Sequence, residues 1–89
     1  MNQTSGEVRA INRQSAMVGV YVAQDDGHTV LELRSANDID VGDVMEWSSG
    51  TALGIQSYRN LTKGWDAEVY VVKHGIAAAN LEVQLLVGS

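Results

Sequence analysis

The sequence contains no cysteine, no proline and no phenylalanine, and it has only six basic residues. Without cysteine the chain cannot form disulfides, thiolate zinc sites, iron–sulfur clusters or a cysteine nucleophile. It has no stretch of about 18 apolar residues, the length that a membrane-spanning helix needs. The polar N-terminal segment also lacks the apolar core of a secretory signal. We therefore expect a cytoplasmic protein that binds no membrane.

A chain of 89 residues with 45% hydrophobic residues has the length and composition of one globular domain. We predict a single domain over residues 1–89, with residues 1–5 disordered. A domain of this size buries only about 60 to 65% of the surface of its unfolded chain, so a deep catalytic cavity is hard to accommodate. The length therefore favours a binding function over an enzyme.

Acidic residues outnumber basic ones, and the net charge is −5. Arg34 is the only basic residue between Asp25 and Glu46, so we expect one side of the molecule to be acidic. Proteins bind nucleic acid largely by neutralising phosphates with lysine and arginine. Because six basic residues stand against eleven acidic ones, the composition disfavours firm binding of nucleic acid.

Valine alternating with small or polar residues predicts strands in most of the chain. Residues 16–24 place Val18, Val20 and Val22 on one face, and Gly19 predicts a bend or a close backbone approach. The Asp-Asp-Gly sequence at 25–27 predicts a hairpin turn. In total we predict strands at residues 6–12, 16–24, 28–34, 44–47 and 65–73.

Two segments have no clear pattern. Residues 48–64 contain three glycines between scattered apolar residues, which predicts a long loop, with or without a helical turn at 55–61. Residues 76–87 fit both a helical face and strand alternation, and we predict a short helical turn near the C-terminus that leads into a closing strand. Short strands without a long crossover helix predict an all-β fold, a small antiparallel barrel of five to six strands.

The order of short motifs in the first half of the chain resembles that of cold-shock and S1-type OB-fold domains. The motifs are Gly6–Ile11 in an opening strand, Gly19–Val22 in the second, Leu31–Leu33 in the third and Val41–Val44 before the fourth. The resemblance covers residues 6–47 and implies an OB-like barrel.

Domains of this kind bind single-stranded nucleic acid by stacking bases on aromatic side chains of the second and third strands. On the outward face of these strands the present chain has one tyrosine, Tyr21, and one arginine, Arg34. The whole chain is also similar to small uncharacterised bacterial proteins, which share features at residues 41–44, 62–64 and 80–86. That second likeness implies no particular activity.

Residues able to carry catalysis or bind metal are present but lack the required spacing. The two histidines, His28 and His74, form neither a His-x-x-x-His nor a His-Glu-x-x-His pattern. The Ser-Ser-Gly-Thr sequence at 48–51 is not a Gly-x-Ser-x-Gly elbow, and the acids at 38–43 do not follow a calcium loop. We therefore expect no catalytic residue, no metal site, no cofactor and no enzymatic activity.

Our first functional hypothesis is a small non-enzymatic interaction module that acts through protein–protein contact, with a protein partner or as a homo-oligomer. The two tryptophans flank the patternless segment 48–64, where they either close the barrel as core residues or anchor a partner. The predicted contact residues are Trp47, Tyr58, Leu61 and Trp65.

The alternative hypothesis follows from the OB-fold resemblance and is weak binding of single-stranded RNA or DNA. Basic and aromatic residues occur together only near residues 58–73, and strand one adds two arginines. The predicted nucleic-acid contacts are Arg9, Arg13, Tyr58, Arg59 and Lys63.

Overall fold

Six antiparallel strands and one helix make up the part of the chain that the computed structural model describes, residues 3–87. The elements are β1 (Thr4–Asn12), β2 (Met17–Val22), β3 (Gly27–Leu33), β4 (Val44–Trp47), β5 (Gly54–Asn60), β6 (Trp65–Ile76) and α1 (Ala78–Val87). The strands close into a barrel in the order β1-β2-β3-β6-β5-β4. The predicted all-β antiparallel barrel with a short C-terminal helical segment is confirmed.

Two three-stranded meanders, β1–β3 and β4–β6, form the barrel. They join at two seams, where β1 pairs with β4 from Thr4↔Trp47 to Glu7↔Val44 and β3 pairs with β6. Of the residues for which we expected disorder, Met1 and Asn2 lie outside the described residues, whereas Thr4 is already paired in β1. The connection between the meanders contributes Ile39, which is buried in the core.

The barrel interior is filled by alternate residues of the strands. In β2 the predicted inward face, Val18, Val20 and Val22, is fully buried, as the alternation required. The remaining core side chains are Val8, Leu31, Ile39, Met45, Trp47, Tyr58, Val69 and Val71.

Helix α1 packs on the outer face of β1–β3 through Leu81 and Leu85, which lie one turn apart. A Cβ atom on Gly19 would lie 2.7 Å from Leu81 Cδ1, so only glycine lets the helix approach so closely. Beside Gly19, Met17 and Val30 are buried by the same contact. Gly19 therefore leaves room for a leucine side chain of the helix, and not for the close backbone approach that we predict, and β2 is covered on both faces.

The predicted long loop at 48–64 is wrong, because it contains strand β5. Two of the three glycines in this segment lie at the ends of the strand: Gly54 begins it and Gly64 lies in the turn that follows it, with φ values of 81° and 80°. Asn60 is fully buried although it is polar, and this hid the alternation of the segment.

The predicted closing strand in the C-terminal tail is also wrong, because residues 78–87 form α1. Strands β1 to β6 already close the barrel, so Leu81 and Leu85 of the tail pack outside it. Helix α1, the only helix among residues 3–87, is too short to cross a membrane.

Candidate interaction surface

Trp47 and Tyr58, two of the predicted contact residues, lie in the core. Their side chains are 2% and 1% exposed and stack face to face, with ring centroids 4.3 Å apart and planes inclined by 7°. The indole Nε1–H of Trp47 donates to the carbonyl oxygen of Gly50 at 3.0 Å. A buried ring cannot meet a partner, so the contact prediction is corrected for both residues, as is the predicted nucleic-acid contact at Tyr58.

The hydroxyl of Tyr58 is buried and has no hydrogen-bond partner among the described residues. Burial also raises the pKa of the Tyr58 phenol far above its usual range, because the ionised form would lose its water. Among the described residues, the hydroxyl therefore contributes no hydrogen bond to the core.

Replacing Tyr58 by phenylalanine is expected to leave the free energy of unfolding unchanged at neutral pH or to raise it by about 1 kcal/mol, because an unsatisfied polar group is removed. The wild type is also expected to lose stability above about pH 10, where the phenol ionises in the unfolded chain but not in the folded one. This loss, up to about 1.4 kcal/mol per pH unit, is expected to be smaller in Tyr58→Phe.

Urea unfolding of both proteins between pH 7 and pH 11 measures this difference, with Tyr70→Phe as the control because Tyr70 is exposed. A loss of more than about 1 kcal/mol in Tyr58→Phe at pH 7 would mean that the hydroxyl is hydrogen-bonded.

Leu61 and Trp65, the other two predicted contact residues, lie at the surface. Leu61 is 47% exposed in the turn between β5 and β6, where its N–H donates to Val44 O at 2.8 Å. Trp65 is half-buried against the core, and its Nε1–H donates to Asp38 O at 2.7 Å. Trp65 thus holds the connection between the meanders through its side chain. Of the four predicted contact residues, only Leu61 has a largely exposed side chain.

Each of the four basic residues predicted to contact nucleic acid forms an ion pair with a carboxylate. The closest nitrogen–oxygen distances are 3.1 Å for Arg9–Glu7, 3.3 Å for Arg13–Asp40, 2.7 Å for Arg59–Asp66 and 2.9 Å for Lys63–Asp40. The structure brings Arg13 and Lys63 together at Asp40, whereas Arg9 lies on β1 and Arg59 on β5. Among residues 3–87, only Arg34 and Lys73 lack such a partner.

These pairs change the titration of the groups that form them. The hydrogen bond from Lys63 lowers the pKa of Asp40, and the same bond raises the pKa of Lys63. The hydrogen bond to Asp66 likewise raises the pKa of Arg59. Exposed ion pairs stabilise a fold only weakly, but each one cancels a positive charge that a phosphate would need.

Tyr21, the outward tyrosine of β2, has neighbours on its face and at its edge. The guanidinium carbon of Arg9 lies 4.8 Å from the ring centroid, and the ring of His28 meets it edge-on at 5.3 Å. Its hydroxyl donates to Asp26 Oδ1 at 3.1 Å, and this bond raises the pKa of Tyr21. A base that stacked on the Arg9 side of Tyr21 would first have to displace the arginine.

The rings of the two histidines lie within hydrogen-bonding distance of neighbouring strands. Nδ1 of His28 lies 2.9 Å from Ile76 O, and Nδ1 of His74 lies 2.8 Å from the hydroxyl oxygen of Thr29. Within residues 3–87 no three potential metal ligands lie together. A polar cleft of about 160 Å³ beside the end of β4 is lined mainly by charged and hydroxyl side chains, among them Glu46, Arg59 and Asp66.

Sequence reasoning missed an apolar surface on the outer face of β5 and β6. Ile55 and Tyr70 face each other across the two strands and are 44% and 43% exposed. Leu53, which is 55% exposed, precedes them in the chain. We call Leu53, Ile55 and Tyr70 the β5–β6 strip. The alternation of Ile55, Ser57 and Arg59 was the signal for it, but the prediction of a loop concealed this pattern.

No protein-family model, curated protein or solved structure matches this chain. The likeness to OB-fold domains therefore stays a prediction, and a function has to be inferred from the surface of the barrel itself.

Proposed function

We propose that this protein is a non-enzymatic interaction module that acts through protein–protein contact at the β5–β6 strip. The observation that carries the proposal is the exposed cross-strand pair Ile55–Tyr70, and the exposed Leu53 lies two residues before Ile55 in the chain. Apolar residues that are exposed singly need no explanation, whereas a group of them on one face marks a contact site.

The surroundings of the strip support a protein partner. Glu32 pairs with Tyr70 on one side, and Glu68 pairs with Ser57 further along the same strands, so polar groups border the apolar centre. Tyrosine is also enriched at protein interfaces, because its ring buries a large area while its hydroxyl stays hydrated.

The ion pairs favour this proposal over binding of single-stranded nucleic acid. Arg9, Arg13, Arg59 and Lys63 are each paired with a carboxylate, and the ring of Tyr58 is buried. A nucleic acid would have to break these pairs and would find no free aromatic platform at Tyr58.

The proposal is tested by capture from cell extract on immobilised protein, with and without nuclease treatment. We expect proteins captured by the wild type to survive nuclease and to be reduced about tenfold or more by Tyr70→Lys, which places a charge in the apolar centre. Val83→Lys, which changes an exposed apolar residue on α1, is the matched control and is expected to capture as the wild type does. Capture that is lost on nuclease treatment, or that Tyr70→Lys leaves intact, contradicts the proposal.

Titration with labelled single-stranded oligonucleotides tests the alternative. At moderate salt we expect no micromolar binding and no difference between the wild type and Arg59→Ala, because Arg59 is already neutralised by Asp66. Micromolar binding with a steep salt dependence that Arg59→Ala weakens is the result that would favour the nucleic-acid hypothesis.

A further inference from the structure

Strand β5 is paired along its whole length on one side only. All seven of its residues pair with β6, from Gly54↔Val71 to Asn60↔Trp65. On the other side only Asn60 and Arg59 pair with β4. Within residues 3–87, no strand pairs with this side of residues 54–58. The barrel therefore has an open edge in β5, next to the β5–β6 strip.

The peptide groups at this edge are those of Ile55 and Ser57. The N–H of Leu61 points to β4, since it donates to Val44 O. Peptide groups of alternate residues in a strand point to the same side, so Arg59, Ser57 and Ile55 share this direction. Arg59 is paired with Glu46, and beyond it the edge groups of Ser57 and Ile55 have no strand to meet.

The loop between β4 and β5 is folded on itself beside this edge. Ala52 donates its N–H to Ser49 O at 3.1 Å, and the Trp47 indole closes on Gly50 O. Its last residues are anchored to Gln56, whose side-chain amide donates to Leu53 O at 2.8 Å. None of these three bonds uses the peptide groups of Ile55 and Ser57.

We propose that the open edge of β5 pairs with the β5 edge of a second copy of this chain, antiparallel and about a two-fold axis at Ile55. The proposal rests on the proposed function, because it makes the β5–β6 strip the centre of a homodimer. An unpaired strand edge is a template for another strand, and proteins usually protect such edges with charged residues or proline. The chain has no proline, and residues 47–58 carry no charge.

The charge distribution favours a second copy of the chain as the partner of the β5 edge. Two molecules with a net charge of −5 repel each other least where the surfaces that meet carry no charge, and the β5 edge is uncharged. A two-fold axis makes the same segment serve as both halves of the interface, so that segment must be compatible with itself. Like charges directly opposite each other would destabilise the pair, and residues 53–58 contain none.

The axis at Ile55 also extends the apolar strip. It places Ile55 of one copy opposite Ile55 of the other, and each isoleucine is flanked by its own Tyr70 on β6. The result is a row of Tyr70, Ile55, Ile55 and Tyr70 across the two barrels. Cross-strand pairs of this kind stabilise a sheet, so pairing of the edges and burial of the strip reinforce each other.

Sedimentation of the purified protein over a range of concentrations tests the proposal. The mass of the wild type is expected to rise from 9.6 kDa toward twice that value as the concentration increases. Ile55→Lys, which sets two like charges opposite each other, is expected to raise the dimer dissociation constant about tenfold or more. The control Leu61→Lys changes a leucine of similar exposure away from the edge and is expected to dimerise as the wild type does.

A cysteine at the same position gives an independent readout, because the native chain contains none. Hydrogen-bonded antiparallel partners have Cα atoms about 5.5 Å apart, within the range that a disulfide spans. Ile55→Cys is therefore expected to form a covalent dimer on mild oxidation faster than Leu61→Cys. Circular dichroism confirms that each variant keeps its strands.

The outcomes separate this inference from the proposed function. A wild type that stays monomeric at all concentrations overturns the inference, and the proposed function still stands if capture from extract depends on Tyr70. Dimers that Ile55→Lys leaves intact overturn the inference by placing self-association on another surface. Dimers that are lost in Ile55→Lys and kept in Leu61→Lys support both the inference and the proposed function.

Discussion

Replacing Gly6 by alanine is expected to lower the free energy of unfolding by about 3 kcal/mol or to prevent folding altogether. A Cβ atom at this position would lie 2.5 Å from the carbonyl oxygen of Tyr21 and 2.6 Å from Val20 Cγ1. The first of these is a backbone atom that cannot rotate away. Tyr21 is paired with Glu7 on one side and with His28 on the other, so a shift would disturb two ladders of the barrel.

Urea unfolding of Gly6→Ala beside Ser5→Ala measures this effect. Ser5 is the preceding residue of β1 and is exposed, so its replacement is expected to change the free energy of unfolding by less than about 0.5 kcal/mol. A loss below about 1 kcal/mol in Gly6→Ala would show that β1 and β2 are less tightly packed than the structure requires.

Replacing Trp47 by alanine is expected to lower the free energy of unfolding by about 3 to 5 kcal/mol, the usual cost of removing a large aromatic side chain from a core. The change leaves Tyr58 without the ring that stacks on it at 4.3 Å and removes the bond from the indole to Gly50. Because the barrel is small, this loss is a large share of its total stability.

Leu61→Ala is the matched control for this experiment, since Leu61 was predicted to belong to the same contact set but is exposed. We expect it to cost about 0.5 kcal/mol or less in urea unfolding. If Trp47→Ala were as stable as the wild type and failed to capture protein from extract, the original assignment of Trp47 to a contact surface would be right and the core assignment wrong.

The parts of the fold that the sequence predicts well are those in which one local pattern decides the structure. In β2 the valines at alternate positions fill the barrel, and Gly19 lies where Leu81 of the helix needs space. The burial of the valines follows from the spacing of residues in a single strand, whereas the contact of Gly19 with Leu81 depends on the distant helix. The antiparallel barrel follows from many such strands in a chain without long helices.

Strand β5 could not be predicted in the same way, because its pattern depends on contacts with distant residues. Asn60 points inward and is fully buried. In the sequence, an asparagine at this position is typical of a loop. In the structure its side-chain amide donates to Asp43 Oδ2 at 2.9 Å, and its own Oδ1 accepts from the Lys63 N–H at 2.8 Å. A buried polar residue satisfied by another segment gives no local signal.

The candidate surface was obscured for a related reason. Arg13 and Lys63 look available in the sequence, but both pair with Asp40, which is distant from them in the chain. Trp47 and Tyr58 look like anchors because they border a segment that was predicted to be a loop. Once β5 is recognised as a strand, the same alternation buries Tyr58 and exposes Ile55, and the proposed contact surface is the β5–β6 strip instead of Trp47 and Tyr58.

Residue-resolved hydrogen exchange of the backbone amides tests the central claim most directly, because it reports whether the β5 edge is free and whether association covers it. At low concentration the amides of Ile55 and Ser57 are expected to exchange quickly, while those of Gln56 and Tyr58, which face β6, are protected. At high concentration we expect protection to appear at Ile55, which the two-fold axis places opposite its own copy. Slow exchange at Ile55 and Ser57 in the dilute monomer, or association that leaves Ile55 unprotected, would contradict the account.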